Sequence, residues 1–291
     1  ADLQISSNAP GNVLNVALNG PPATLQSNTG NVNFNTPAAT GAITVTGGPA
    51  NGVITANAGN GNVNLNGGLA NAVNVNVNQI NGCIAGTGTP FNVTVAQASI
   101  LGDVRFGPIT SNGDLNLSSP ADIGVCGDLT SNTGSVNLTT ANGPANRINF
   151  AANADIFANQ NVTLTTPNLN LTGGNNTVNA TTGNVNVQSN AAGAALTVNM
   201  GAGSQINANA AGTGMVNFNP TIAGNINITG GPADGLISAG NDVTYQGGTV
   251  AVNVGQIIGC NESVGAGVTT ASITTATGDL RVGPFTSSGN A

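Results

Sequence analysis

Apolar and polar residues alternate along most of this chain. "NVNFN" at 31, "AITVT" at 42, "NVNLN" at 62, "AVNVNVN" at 72, "DLNLS" at 114, "NVNVQ" at 184 and "NINIT" at 225 each place an apolar side chain at every second position. That is the signature of a strand with one dry face and one wet face. The strands also fall on a ruler. Val32, Ile43, Val53, Val63 and Val73 follow at steps of 11, 10, 10 and 10, and Val185, Leu196, Ile206, Val216, Ile226 and Leu236 repeat the rhythm. A glycine commonly precedes the strand, as at Gly30, Gly41, Gly52, Gly61, Gly183 and Gly224, where the chain has to turn. No stretch carries a 3.6-residue pattern with caps, so no significant helix is expected.

Short strands at one fixed spacing, none able to bury its apolar face alone, predict a solenoid rather than a sandwich or barrel. The expected fold class is all-β, a parallel β-helix with two or three strands to a coil of about twenty residues, each coil stacked on the last at about 4.8 Å. Val32, Phe34, Ile43, Val45, Val63, Leu65, Val185, Val187, Val216, Phe218, Ile226 and Ile228 are the expected core.

A longer period lies above the short one. "VNFNTPAATGAITVTGGPANGVI" at 32 returns as "VNFNPTIAGNINITGGPADGLI" at 216, "NQINGC" at 78 as "GQIIGC" at 255, and "GDVRFGPITSNGD" at 102 as "GDLRVGPFTSSGN" at 278. Residues 31–115 thus match 215–291, as parts of a super-repeat of about 180 residues. The expectation is one continuous solenoid over 1–291, cut from a longer array or stacked end to end on copies of itself, because an open coil end leaves backbone groups unpaired.

Composition narrows the picture. Charged residues are 4% and aromatic residues 3% of the 291, with no Trp, His or Lys, while Val, Ile, Leu and Ala keep the hydrophobic fraction at 39%. Such an alphabet fills a narrow interior and not a thick globular one. Three arginines against ten acids give a net charge of −7, which leaves no basic surface for nucleic acid. No apolar run reaches the eighteen or so residues of a membrane span, so membrane insertion is not expected.

Candidate chemistry is sparse. Cys83 and Cys260 hold the same place in the two copies, and Cys126 lies 43 residues after Cys83. A Cys83–Cys126 disulfide is the candidate pairing, with Cys260 left for a partner in a next repeat or chain, and it would imply an oxidising, extracellular setting. The alternative is three small buried hydrophobes. Asp103, Asp114, Asp128, Asp242 and Asp279 mostly follow Gly or Asn at strand starts, where an Asx side chain satisfies local turn amides, so they read as turn residues and not as a catalytic pair. With no His and three scattered Cys, no transition-metal ligand set, cofactor or enzymatic activity is expected, and the calcium-binding nonapeptide of β-rolls is absent. "DVR" at 103 and "DLR" at 279 put Asp103 with Arg105, and Asp279 with Arg281, on one face of a strand. Each pair reads as a solvated ion pair or a lateral contact between chains. Stacked asparagines in neighbouring coils are expected to bond amide to amide.

Phrases such as "GNVNLNGG", "GDLNLSS", "GDLTSNTGSVNLTT" and "AGNDVTYQGG" resemble the repeats of filamentous-haemagglutinin-like adhesins and related large secreted bacterial β-solenoid proteins. That resemblance implies a right-handed β-helical shaft at the cell surface. The chain lacks the amino-terminal "NPNGI"-type secretion motif of those adhesins. The leading functional expectation is a structural extracellular protein, a stiff shaft, filament or sheath whose repeats stack end to end and side by side. The alternatives are the stalk of an adhesin that binds surface glycans, and a β-helical carbohydrate-active enzyme.

Overall fold

The structure is a computed structural model that describes residues 1–9, 11–20, 23–35, 40–190, 194–209, 212–220, 224–231, 234–263, 268 and 270–284. Among them the regular structure is β-strand, with one 3-10 turn at Asn57–Gly59 and no α-helix. The strands pair in parallel with strands one coil away, which makes the fold a parallel β-solenoid. Two compact units, Ala1–Thr139 and Thr140–Ala291, are described separately.

In the first unit the opening coils have three sides. Leu3–Ile5, Leu14–Ala17 and Thr24–Ser27 make one coil, and Val32–Phe34, Ile43–Thr46 and Val53–Ala56 the next. Asn62–Asn66, Val73–Val77 and Gln79–Asn81 make the third. Register is constant: Leu3 pairs with Val32 and Val32 with Val63, Leu14 with Ile43 and Ile43 with Val73, Thr24 with Val53 and Val53 with Gln79. The ten-residue ruler therefore counts sides of a triangle. A side-chain bond between equivalent Asn33 and Asn64 spans 31 residues, one full coil.

Beyond Asn81 the third side, a separate three-stranded sheet, stops. Cys83–Gly88 pairs back on Asn62–Asn66 and forward on Asp103–Ser111, while Phe91–Val95 joins Val73–Val77 to Leu115–Ser119. Equivalent asparagines now lie 18, 24 and 21 residues apart. The expected coil of about twenty residues holds in this part and returns in the second unit; where the ruler is most regular, three sides of ten give a coil near thirty. Asp103–Ser111 runs past a corner, so that its first half pairs with Asp122–Val125 and its second with Leu129–Ser131. In the first unit the register slips between Ile84 and Gly86, and in the second between Ser238 and Asp242. Gly86 has φ +152°, and a Cβ there would collide with the Leu65 carbonyl oxygen.

The second unit is built the same way. Arg147–Phe150, Asn168–Leu171, Leu196–Met200, Ile226–Thr229 and Thr249–Val254 stack on one side. Ile156–Ala158, Thr177–Ala180, Gln205–Ala208 and the start of Leu236–Tyr245 stack on another. Val162–Thr165, Val185–Ser189, Val216–Pro220 and the end of Leu236–Tyr245 form the third. Its coils also change length: the Asn149–Asn170, Asn170–Asn199 and Asn186–Asn217 bonds span 21, 29 and 31 residues.

Constant register makes the core a set of columns. Val32, Val63, Ile84, Phe106 and Val125 follow one another in pairing, as do Ile156, Val178, Ile206, Ile237 and Ile257. Val32, Phe34, Ile43, Val45, Val63, Leu65, Val185, Val187, Val216, Phe218, Ile226 and Ile228 are all fully buried. Each such side chain removed from water contributes about 1.5–3 kcal/mol, and β-branched residues suit the pleated stack.

The super-repeat has a structural counterpart. Val32–Val63–Ile84 and Val216–Val243–Asn261 are the same three-coil column in the two copies. Cys83 pairs with Asn62 on one side and Arg105 on the other, and Cys260 with Asp242 and Arg281.

Candidate functional site

Accessible chemistry on this fold has to come from the outward positions, since the inward ones form a closely packed and mostly apolar stack. The commonest outward residue is asparagine, and equivalent asparagines bond from coil to coil. In the first unit Nδ2 of Asn92 donates to Oδ1 of Asn74 at 2.8 Å, Asn116 to Asn92 at 2.8 Å and Asn137 to Asn116 at 2.8 Å. In the second, Asn170 donates to Asn149 and Asn199 to Asn170, both at 2.7 Å, and the Thr229 hydroxyl closes that ladder on Asn199. An amide carries a donor and an acceptor on opposite sides, so one side chain serves the coil above and the coil below.

Asp114, one of the five aspartates expected to bond a local turn amide, and several other Asx residues at strand starts bond instead to the next coil. Asp114 Oδ1 accepts the Ser135 amide at 2.9 Å, Asp155 Oδ1 the Thr177 amide at 2.6 Å and Asn184 Oδ1 the Met215 amide at 2.9 Å. Asp2, Asn31 and Asn161 do the same for Asn31, Asn62 and Asn184. The expected partner was a local turn amide; the observed one belongs to the following coil. Constant register places the next turn directly over each side chain, within reach of its oxygen.

Cys83 and Cys126 form a disulfide over a separation of 43 residues. It points to an oxidising compartment. It ties the coil of Cys83–Gly88 to that of Asp122–Val125, passing the intervening strand at Gly107, whose carbonyl oxygen lies 2.8 Å from the Cys83 sulfur and 3.4 Å from that of Cys126. Asp103 and Arg105 are half-buried beside it. They do not simply face each other: Arg105 Nη2 donates to the Gly59 carbonyl, 46 residues back, and the Asp103 carboxylate lies over Gly124, where a Cβ would clash. Asp103 also neighbours Asp122 in register. Asp279 and Arg281 are exposed and line a shallow groove with Gln256, Ile257, Ile258 and Gly259. Asp128 is exposed at the start of its strand.

Cys260 is a free thiol, half-buried. Its sulfur and one carboxylate oxygen each from Asp242 and Glu262 all lie within 4.8 Å of one another. Asp242 is the ladder neighbour of Cys260, and Glu262 stands two residues along, on the same face. Asn241 Nδ2 holds the Asp242 carboxylate at 2.7 Å. Along the sequence the three cysteines are scattered, and no ligand group is expected here. A signal existed, because Asp242 and Glu262 fall where the first copy has Asn62 and Ala85. Seeing it required the coil register.

Inside the second unit, Tyr245 is fully buried, stacks on Phe218 with centroids 5.8 Å apart and donates to Asn261 Oδ1 at 2.9 Å. Burial raises its phenol above the ordinary value.

Among the described residues no helix is long and apolar enough to cross a membrane. Compared with protein-family models, curated proteins and solved structures, the chain matches none of them.

Proposed function

We propose that the chain is a structural extracellular protein, a stretch of stiff β-solenoid shaft that assembles end to end with further coils of the same kind, and that it is not an enzyme. The observation that carries this reading is repetition of register: the Val32–Val63–Ile84 column recurs as Val216–Val243–Asn261 with matching neighbours on either side. A chain that repeats its coil geometry at long range presents equivalent surfaces again and again. That is the requirement for a linear material.

Other features support the same reading. Each coil bonds to its neighbours through backbone ladders, asparagine ladders and Asx oxygens, so stiffness along the stack comes from the sequence itself. Only three basic residues, all Arg, offer sites for trypsin-like cleavage. Together with the disulfide, this suits a persistent material outside the cell. The right hand of the helix and the likeness to bacterial adhesin shafts belong to this proposal as well.

Electron microscopy of the purified protein, over a range of concentrations, tests it. Uniform unbranched fibres a few nanometres wide, resistant to trypsin, are the expected result. Particles that stay monomeric by sedimentation at every concentration would overturn the assembly reading.

A further inference from the structure

We infer that Asp242, Cys260 and Glu262 form a binding site for a divalent cation of the zinc class. Three protein ligands of two kinds converge on one point of the outer face, their ligand atoms within 4.8 Å of one another and each side chain half-buried. Two of them come from neighbouring strands in fixed register and the third from the same strand as the cysteine, so the backbone sets the spacing before any ion arrives. In a tetrahedral zinc site, bonds of about 2.0–2.3 Å place ligand atoms roughly 3.5 Å apart. Rotating the Asp242 and Glu262 side chains by about an ångström closes the gap, and water takes the fourth position.

The two copies of the super-repeat argue that this grouping is specific. Where the cysteine is in a disulfide, at Cys83, its counterparts are Asn62 and Ala85, which offer no carboxylate. Where the thiol is free, at Cys260, both positions have become acids. A thiolate selects against calcium and magnesium, which take hard oxygen ligands, and for zinc-like ions. The thiol gives up its proton as the metal–sulfur bond forms. A doubly charged cation with three anionic ligands leaves one negative charge, next to Arg281, the ladder partner of Cys260 on the far side.

Titration of the full chain with Co²⁺ under mild reductant reads the site directly. One equivalent is expected to produce a thiolate-to-cobalt charge-transfer band that Zn²⁺ abolishes and Ca²⁺ does not. Cys260→Ser should remove the band, and Asp242→Asn and Glu262→Ala should each weaken binding by roughly tenfold or more. Both acid variants restore the residue of the first copy, and an unchanged thermal melt without metal confirms that they are folded. Absence of the band in the parent chain overturns the inference. So does a band whose affinity is the same in the two acid variants, because the thiol would then bind the metal alone.

Discussion

Tyr245 Oη donates a 2.9 Å hydrogen bond to Asn261 Oδ1 inside the second unit, with both residues buried and one coil apart. Asn261 Nδ2 in turn donates to the Arg281 carbonyl at 2.9 Å, so the buried amide is used on both sides. In the first copy the same two places hold Leu65 and Ile84. The polar pair replaces an apolar pair as a unit.

Breaking that unit is predicted to cost more than exchanging it. Asn261→Ile alone leaves a buried hydroxyl without its acceptor and should destabilise the second unit by about 1–3 kcal/mol. Adding Tyr245→Leu, which completes the first copy's pair, should recover most of the loss. Urea unfolding of the single and double variants measures both, and a double variant worse than the single would contradict the account.

Alkaline pH should loosen the same region. Burial holds the folded Tyr245 phenol above its ordinary value of about 10. The stability this group contributes is therefore complete below pH about 10 and declines as pH rises from there toward the folded value, since the unfolded chain releases the proton first. Tyr245→Phe should flatten this decline. Thermal melts from pH 8 to 12 of the parent and the variant decide it.

Asn116 sits in mid-ladder, donating to Asn92 and accepting from Asn137. Asn116→Ala removes both bonds at an exposed position and should cost about 1–2 kcal/mol. Ser118, on the same strand, makes one longer bond of 3.3 Å to Thr94, and its alanine variant should cost less. Equal costs for the two would mean that the ladder adds nothing beyond the backbone.

Reducing the Cys83–Cys126 bridge, or replacing both cysteines by serine, should destabilise the first unit by about 2–4 kcal/mol. Limited proteolysis with a protease that cuts at apolar residues should then show earlier cleavage around residues 83–126, with 140–263 unchanged. Simultaneous loss of both regions would show that the bridge acts beyond its own coils.

Much of the fold was legible because a solenoid is locally encoded. Alternation at "NVNLN" and "NINIT" determined which side chains face inward, and the ruler from Val32 to Val73 determined that strands are short, equal and repeated. The return of "NQINGC" as "GQIIGC" determined that Cys83 and Cys260 share a setting. These are properties of neighbours in the chain, and periodicity reads them directly.

Tertiary structure decided what depends on how far the chain travels before it meets itself. Whether a ten-residue step is half a coil or a third of one is set by how many corners close the ring, and the same alternating strands can serve either: a span of 31 residues links Asn33 to Asn64, and one of 18 links Asn74 to Asn92. Only that closure determines that the Asp114 carboxylate meets the Ser135 amide of the next coil, and that Asp242, Cys260 and Glu262 share a surface. The sequence states which face each residue takes; coil circumference, which emerges from packing the whole ring, states which residue lies above it.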